Sequence, residues 1–337
     1  MTMRPEVSVI TVTYNQALTI ARTLDSILAQ ECDFDYEIVI GEDCSTDDTL
    51  DICRRYAAAH PDKIRLLHNT VNKGVIDNYF DCIMECRGKY IADCPSDDYW
   101  IDRHKLQKQR DILAADPDVT LVHTAWNRLD YTTGNVTPAD ADNANARYHS
   151  PIADGRSLLI PLLCHTHPPV IHLATAMYRA DTIRNALMAE PHLFRDKSYP
   201  CEDLQIMTAL ADAGKIGYLP DVTLNYSVGH RSLSNPLGFK KQLDYHLGIF
   251  KLTLKLADRY AIDRFLLRPF IDERLRYAST LSFNSLDRPL MDAVIALMKE
   301  HEVTSTVKTG LMKLLSSNYI MWKASVKLNG LIHRHEQ

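Results

Sequence analysis

The stretch GKYIADCPSDDYW, residues 88–100, combines a short apolar run with a pair of adjacent acids. The run at 90–92 is typical of a buried strand, and Asp97 and Asp98 follow it within a few residues. Two neighbouring carboxylates repel each other, and a hard cation with oxygen ligands, Mg²⁺ or Mn²⁺, would neutralise them. A polar loop that caps the next helix, with Asp102 as a further cap, explains the stretch as well. The stretch therefore predicts a metal site or a capped loop.

Three strand-like runs come before this stretch, and amphipathic segments separate them. The runs are VSVITVT at 7–13, YEIVI at 36–40 and IRLLH at 64–68. Runs with so little alternation are typical of parallel strands buried on both faces. The intervening segments predict helices over residues 20–28, from the N-cap Ser45 to about Ala59, and up to a C-cap at Gly88. The order βαβαβαβ predicts an α/β fold, a layered sheet flanked by helices.

The predicted carboxyl ends of the strands carry side chains that suit a nucleotide diphosphate. They are Thr13, Tyr14 and Asn15 after the first strand, Glu42 and Asp43 after the second, and Asp97 and Asp98 after the fourth. Ligands of α/β sheets bind beyond this edge. The aromatic ring can stack on a base, the first acids can accept from a base N–H, and the acid pair can hold ribose and a metal at the phosphates. Each residue alone could equally end a strand or begin a turn.

Together the sequences VSVITVTYN, EIVIGEDCSTDDT and GKYIADCPSDDYW resemble the inverting family 2 glycosyltransferases. The resemblance covers residues 6–130 closely and 170–235 more weakly. It implies the GT-A fold, a Rossmann-like layered mixed sheet flanked by helices. Many members carry an acid two residues before the acid pair, where this chain has Pro95.

The resemblance also implies roles for the residues at the strand ends. Tyr14 and Asp43 would hold the base of a nucleotide-sugar donor. Asp97 and Asp98 would form the DxD-like element, with Asp98 nearest the metal, Mn²⁺ or Mg²⁺. The predicted donor-binding set also includes Thr13, Asn15 and Glu42, by their place at the strand ends, and Arg231, by resemblance.

The segment CEDL at 201–204 precedes apolar residues at helical spacing, so its acids stand at the start of a predicted helix. Acids are commonplace there because they favour the positive end of the helix dipole. The resemblance implies instead that Asp203 is the general base, with Glu202 as the competing choice.

Four further residues are candidate ligands. In YSVGHRSLS, residues 226–234, the resemblance implies His230 as a ligand of the metal or the diphosphate and Arg231 as a phosphate clamp, although this His stands one place later than in the family. His165 and His167 could be a metal pair. Loop or acceptor-pocket histidines fit them better, since prolines follow and no third ligand is near.

The chain is predicted to divide at residue 235 into a catalytic domain, 1–235, and a helical appendage, 236–337. In the second part apolar residues recur at helical spacing and strand signals end. In the first part, further strands are predicted at 120–124 and 170–178, with a long polar connection between them.

Composition excludes several classes of protein. Hydrophobic residues make up 46% and charged residues 24%, as in ordinary soluble proteins, and the net charge of -5 makes nucleic acid a poor partner. The eight cysteines form no CxxC pair, which argues against a zinc ribbon and a disulfide framework. Neither a signal peptide nor a spanning segment is visible, so a cytoplasmic location is expected.

The C-terminal tail has a different charge balance from the rest of the chain. Between residues 303 and 337 there are five basic residues and one acid, interleaved with large apolar residues. This pattern predicts either a helix lying peripherally on the inner face of an anionic membrane or a packed helix with a solvated basic face.

These observations predict a metal-dependent inverting glycosyltransferase. It would move a sugar from a nucleotide-diphosphate donor, a UDP-sugar by resemblance, to a hydroxyl of a glycan or lipid-linked acceptor in surface polysaccharide or glycolipid assembly. A sugar-phosphate nucleotidylyltransferase is an alternative, but VTYNQALT lacks the expected Gly-rich loop. A sugar-nucleotide-binding or scaffold protein with an eroded site is another, supported by Pro95 and the displaced His230.

Overall fold

The computed structural model describes residues 4–138, 152–164, 171–229 and 237–332, with side chains to residue 328. These residues form two compact units, one made of 4–197 and 201–229 and the other of 198–200 and 237–332. The predicted boundary at residue 235 lies outside the described residues.

The first unit contains the strands and eight helices. The strands are β1 Val7–Thr13, β2 Tyr36–Glu42, β3 Ile64–His68, β4 Tyr90–Asp93, β5 Tyr99–Trp100, β6 Val119–Asp130, β7 Val136–Pro138, β8 Ile152–Asp154, β9 Met177–Arg179 and β10 Lys215–Val228. The α-helices described in this unit are α1 Ile20–Leu28, α2 Thr49–Ala59, α3 Val75–Glu85, α4 Lys105–Ala115, α5 Leu159–Cys164, α6 Ala180–Ala189, α7 Pro191–Phe194 and α8 Asp203–Ala213.

All ten strands join one mixed sheet. Its order is β3-β2-β1-β4-β9-β6-β10-β5, with β7 beside β6 and β8 beside β10. β1 pairs in parallel with β2 and β4, and β2 with β3, so the carboxyl ends of these four strands share one edge. β9 runs antiparallel to both β4 and β6. The predicted α/β class and layered mixed sheet are confirmed.

Burial explains the lack of alternation in the first strands. Val9 on β1 and Ile38 and Ile40 on β2 are fully buried, and helix α1 packs Leu24 and Ile27 against the same core. Removing a side chain of this size from water stabilises the fold by about 2 kcal/mol. The edge that carries the candidate site therefore rests on a closely packed core.

The predicted cap of the second helix is wrong. Helix α2 begins at Thr49, with Asp48 at the N-cap position, rather than directly after Ser45. The hydroxyl of Ser45 instead accepts a hydrogen bond of 2.9 Å from the backbone N–H of Asn15. The side chain of Ser45, which the local sequence assigns to a helix cap, therefore makes a long-range hydrogen bond instead.

The predicted C-cap at Gly88 is also wrong, because α3 ends at Glu85. Gly88 lies where the chain passes close to β1, and its N–H donates to the Ser8 hydroxyl at 2.8 Å. A Cβ on Gly88 would come within 2.5 Å of the Ser8 backbone nitrogen. Close approach of two backbones, not helix termination, requires the glycine.

The strand predicted at 170–178 is much shorter in the structure. Leu173–Thr175 form a 3₁₀ turn, and only Met177–Arg179 pair with the sheet as β9. The hydroxyl of Thr175 donates to the carbonyl of His172 at 2.7 Å. Such local bonds compete with strand pairing and explain why an apolar run begins as a turn.

The second unit is helical in its described residues, as predicted. It contains α9 Phe239–Arg259, α10 Arg268–Ser285, α11 Arg288–Glu300, α12 Val307–Ser316 and α13 Tyr319–Ile332. Trp322 is 1% exposed, and its indole N–H donates to the carbonyl of Phe283 at 2.8 Å. Met291 and Met312 complete this small core.

Candidate functional site

The loops that follow β1 and β2 are bonded to each other at the shared edge. The carbonyl of Thr13 accepts from the backbone N–H of Asp43 at 3.0 Å. Asn15 has a φ of 53°, and its side-chain oxygen accepts from the N–H of Thr46 at 2.8 Å. Asparagine tolerates the left-handed region better than most residues. Asn15 therefore fixes the geometry of both loops.

Tyr14 projects from this bonded pair of loops. It is 45% exposed, whereas the preceding Thr13 is buried and its hydroxyl has no hydrogen-bond partner among the described residues. An exposed ring on a rigid loop end can stack on a base. Thr13 contributes its carbonyl to the loop contact.

Glu42 is fully buried, and both of its oxygens have protein partners. Oε1 accepts from the backbone N–H of Ser45 at 2.7 Å, and Oε2 bonds to Nδ1 of His68 at 2.9 Å. This geometry favours a supporting role for Glu42 beneath the loop over a contact with donor.

Asp43 organises the loop after β3. Oδ1 accepts from the N–H of Lys73 and from the Asn69 amide, both at 2.9 Å, and Oδ2 accepts from the N–H of Gly74 at 2.9 Å. Each carboxylate oxygen can accept two bonds, so Oδ2 retains one acceptor position. Asp43 can therefore accept from a base N–H only with this remaining capacity.

The acid pair after β4 is held by β10. The backbone N–H of Ser227 donates to Oδ1 of Asp98 at 2.8 Å, and its hydroxyl donates to the carbonyl of Asp97 at 2.6 Å. On the other side, the hydroxyl of Thr23 donates to the carbonyl of Asp98 at 2.5 Å. The pair is therefore fixed between α1 and β10.

Asp98 has a buried carboxyl oxygen without a hydrogen-bond partner among the described residues. The residue is 1% exposed, and the oxygen is Oδ2. Burial, with the charge of Asp97 as a further cause, raises the pKa of Asp98 well above its usual range. A buried acceptor without a partner is costly, and a cation would satisfy it.

These two carboxylates fit a divalent cation of the Mg²⁺ or Mn²⁺ type by chemistry, because such ions take oxygen ligands and complete their shell with water and phosphate. No cluster of three or more metal-ligating side chains occurs within the described ranges. The predicted third ligand, His230, lies outside those ranges, as do Arg231, His165 and His167.

The two candidate bases stand at the start of α8, as predicted. Helix α8 begins at Asp203, with Glu202 at the N-cap position and no side-chain cap bond. The two carboxyls hydrogen-bond to each other. Burial raises the pKa of Asp203 to about 6, and burial followed by the charge of Asp203 raises the pKa of Glu202 well above its usual range. The pair therefore holds a proton more tightly than two separate carboxyls would.

Tyr226 on β10 links the acid pair to this second pair. Burial raises the pKa of its phenol, and the charges of Asp98, Asp97 and Asp203 act in the same direction. The charges of both groups of acids therefore act on the phenol of Tyr226. The candidate metal site and the candidate base thus lie in one region of the sheet edge.

Sequence reasoning missed Ser227 and Tyr226. Ser227 contacts Asp98 across 129 positions of sequence. Neither residue has a local signal beyond its place on a strand that follows the acids. The pairing of β10 with β5 and β6, which brings this strand beside the acid pair, is visible only in the sheet.

The sequence matches the model of glycosyl transferase family 2 over residues 8–179, about half of the chain. A putative teichuronic acid biosynthesis glycosyltransferase of Bacillus subtilis, TuaG, is 34% identical over 110 residues, 33% of this chain and 42% of that protein. The chain spans about a third of the length of several other curated relatives that it matches.

Two solved glycosyltransferases have a similar fold. TarS residues 1–349 of S. aureus, solved with UDP-GlcNAc, match with a TM-score of 0.54 at 15% identity, covering 88% of this chain and 89% of that one. A mannosyltransferase of Pyrobaculum calidifontis, solved with GDP-Man and Mn²⁺, matches with a TM-score of 0.53 at 19% identity, covering 97% and 87%. At these identities the likeness concerns the fold, and it confirms the expected GT-A architecture.

Proposed function

Because the chain belongs to glycosyl transferase family 2, we propose that it moves a sugar from a nucleotide-diphosphate donor to an acceptor hydroxyl with inversion. The observation that carries this proposal is the pairing of two acid sites at one sheet edge. Asp98 offers an unpartnered buried oxygen, and the Glu202–Asp203 pair holds a base that is ionised at neutral pH.

The donor is proposed to be a UDP-sugar. The exposed ring of Tyr14 would stack on the base, and the remaining acceptor position of Asp43 would take a base N–H. Asn15 and Thr13 would act through the loop bonds that they make, and Glu42 through its support of the same loop. Arg231 remains a proposed phosphate clamp.

Asp98 and Asp97 are proposed to hold Mn²⁺ or Mg²⁺, with His230 as the third ligand that family resemblance implies. When bound, the cation would supply charge stabilisation to the leaving diphosphate. The chain's own part is to hold the backbone of both acids through Thr23 and the Ser227 hydroxyl, and the buried carboxylate of Asp98 through the Ser227 N–H, so that little rearrangement is needed when charge develops.

Asp203 is proposed to be the general base. It would take the proton of the acceptor hydroxyl while that oxygen bonds to the anomeric carbon and the bond to the diphosphate breaks on the opposite face. Glu202, protonated, would hold Asp203 in place by donating to it. The competing assignment, with Glu202 as base, requires the pair to exchange these states.

The acceptor is proposed to be a glycan or a lipid-linked sugar, in the assembly of a surface polysaccharide or glycolipid. The relation to TuaG supports this class of product. We propose a cytoplasmic location at the inner face of the membrane. No helix within the described ranges is both long and apolar enough to cross a bilayer, so the proposed contact is peripheral.

The last two helices support this peripheral contact. On α12 and α13 they carry an exposed set, here called the C-terminal apolar surface: Val307, Leu311, Leu314, Tyr319, Ile320, Met321 and Leu328. Val307 is 91% exposed and Ile320 80%. Four lysines, Lys308, Lys313, Lys323 and Lys327, are interleaved with these residues, and the sequence has no acid between Glu302 and Glu336. Apolar area with positive charge suits an anionic lipid surface.

One assay separates the proposed function from its two rivals. The protein is incubated with a UDP-sugar and, in a parallel sample, with a sugar phosphate and UTP, each with and without Mn²⁺, and the released products are identified. Metal-dependent release of UDP is the expected result. Release of pyrophosphate from a sugar phosphate and UTP would identify a nucleotidylyltransferase, and binding without turnover would identify a sugar-nucleotide-binding protein.

A further inference from the structure

Arg22 lies in the first turn of α1, directly beside the acid pair. Its guanidinium donates from Nη2 to the carbonyl of Asp97 at 3.2 Å. The next residue, Thr23, donates its hydroxyl to the carbonyl of Asp98 at 2.5 Å. Thr23 is buried, whereas Arg22 is exposed. This turn of the helix therefore brings an exposed cation to the edge of the candidate metal site.

The guanidinium is held in this place by Tyr99, which follows the acid pair on β5. Cζ of Arg22 lies 4.2 Å from the centre of the Tyr99 ring, a cation–π contact. The hydroxyl of Tyr99 accepts from the side-chain amide of Asn225 at 2.6 Å, and that amide accepts from the amide of Asn127 at 3.1 Å. The ring, and the cation stacked on it, are therefore oriented by side chains of β10 and β6.

The acid loop does not need Arg22 in order to close. The carbonyl of Asp97 also accepts from the hydroxyl of Ser227 at 2.6 Å, and Thr23 holds the carbonyl of Asp98. Among the described residues the guanidinium makes one hydrogen bond, to Asp97, and no ion pair with a carboxylate. A guanidinium has five N–H donors, so most of them remain for a ligand.

The charge balance of the proposed metal site favours such a cation. One divalent cation and the two carboxylates cancel, so the loaded site brings no net positive charge to a donor. A nucleoside diphosphate is a multiply charged anion, and a planar guanidinium matches phosphate oxygens with two parallel N–H groups. The exposed cation beside the acid pair is therefore complementary to a diphosphate in charge and in shape.

We propose that Arg22 binds the diphosphate of the nucleotide-sugar donor. The inference rests on the proposed function, because it takes the acid pair to be the metal site. The bond to the diphosphate strengthens as negative charge grows on the leaving group, so Arg22 contributes to the rate as well as to binding. Tyr99 is a positioning residue, since it contacts the guanidinium and not the donor.

The test is calorimetric titration of wild type and Arg22→Gln with three probes: UDP in the presence of Mn²⁺, uridine, and Mn²⁺ alone. Arg22→Gln should weaken UDP binding by about tenfold or more, because a hydrogen bond between two charged groups is lost. Uridine has no phosphate, so its binding should be the same in both proteins. Mn²⁺ alone should bind Arg22→Gln at least as tightly as wild type, because a positive charge beside the acid pair opposes a second cation.

The Mn²⁺ titration separates this role from a structural one. If Arg22 only supported the acid loop, its loss would weaken the binding of Mn²⁺ and of UDP together, and that result would overturn the inference. Unchanged UDP binding in Arg22→Gln would overturn it as well. A wild-type protein that binds no UDP would contradict the proposed donor itself, and the role of Arg22 would fall with it.

Arg54→Gln is the matched control for the loss of charge. Arg54 is an exposed arginine on α2 that pairs with Asp51 at 3.3 Å, and its loss should leave UDP binding unchanged. A fall as large as that in Arg22→Gln would reflect net charge alone and would overturn the inference. Tyr99→Leu removes the ring that Arg22 stacks on and should weaken UDP binding by less than Arg22→Gln. Tyr99→Phe keeps the ring and should bind UDP more tightly than Tyr99→Leu.

Discussion

The backbone N–H of Ser227 donates to Oδ1 of Asp98 over 2.8 Å, while the second oxygen of the same carboxylate is buried without a partner among the described residues. A main-chain donor cannot be removed by a side-chain substitution, so Asp98 is fixed by the sheet itself. The unsatisfied oxygen is therefore available in a defined position, which is the arrangement that a metal ligand requires.

Asp98→Asn tests this arrangement because it keeps the shape and removes the charge. We expect Mn²⁺-dependent donor affinity to fall by about 100-fold or more, since altering even groups that support metal ligands can reach that size. Burial raises the pKa of Asp98, so its ionised form opposes folding and the neutral amide should not lower the metal-free melting temperature at pH 7. Calorimetric titration of UDP with and without Mn²⁺ and thermal melts provide the two readouts.

Ser227→Ala is the control for that variant. It deletes the hydroxyl bond to the carbonyl of Asp97 and leaves the main-chain bond to Asp98. The expected loss is about 1 kcal/mol of unfolding free energy, with metal dependence retained. Equal donor affinity in wild type and Asp98→Asn, at saturating Mn²⁺, would show that Asp98 is not a ligand of the metal.

A second prediction concerns the loop geometry at Asn15. Asn15→Ala loses the bond from the N–H of Thr46 and places a Cβ residue without an amide at a φ of 53°. We expect a loss of about 2 kcal/mol in unfolding free energy, together with weaker UDP binding. Asn15→Gly loses the same bond without the backbone strain, so it should recover about 1 kcal/mol of that loss. Urea unfolding of the three proteins measures both quantities, and equal stabilities of the Ala and Gly variants would exclude the strain.

The sequence predicted most of the sheet edge because its signals are local. Strands β1 and β3 have the predicted bounds, and Asp97 and Asp98 follow β4 within a few residues. What could not be predicted depends on partners far along the chain. The carboxylate of Glu42 bonds to His68, which is 26 residues away. The hydroxyl of Ser45 bonds to a partner 30 residues away instead of capping the helix.

The same reason explains why Asp93 was not singled out. In the sequence, Asp93 is only the polar residue at the end of a short predicted strand. The hydroxyl of Tyr79 donates to its Oδ1, and the hydroxyl of Tyr178, which is 99 residues from Tyr79, lies 2.8 Å from that of Tyr79. Neither tyrosine has a feature in its own neighbourhood that distinguishes it from an ordinary core residue.

A third prediction concerns the C-terminal apolar surface. Val307, Leu311 and Leu314 follow helical spacing on α12 and are all more than half exposed. Replacing all three by Ser should weaken flotation with phosphatidylglycerol vesicles by about tenfold or more, because each buries apolar area in the bilayer surface. Phe265→Ser is the matched control, since Phe265 is 78% exposed but lies outside this surface.

Lipid charge and salt extend that test. Flotation should be weaker with phosphatidylcholine vesicles and at high salt, because the four lysines contribute about 1 kcal/mol each near an anionic surface. If wild type does not float, or if the triple variant floats as well as wild type, the proposal that this surface contacts a membrane is wrong. Sedimentation of the same samples without lipid shows whether the surface instead pairs two copies of the chain.

The last prediction separates chemistry from structure at Asp203. Asp203→Asn keeps the shape of the side chain but cannot accept the acceptor's proton, so UDP release should fall by about 100- to 10,000-fold while donor affinity stays near wild type. Glu202→Gln still offers an N–H to Asp203, so its rate should fall much less.

The pH dependence of unfolding adds a readout that needs no substrate. Burial raises the pKa of Asp203 to about 6, above its value in the unfolded chain, so the folded state holds the extra proton between about pH 4 and pH 6. That contribution to stability is complete below about pH 4 and is lost as the pH rises through about 6. In Asp203→Asn the decline across this window should be smaller than in wild type.

If Glu202→Gln loses the rate and Asp203→Asn retains it, the base is Glu202. If neither variant loses more than a few-fold, no proton acceptor stands at the start of α8, and the two acids serve the fold alone.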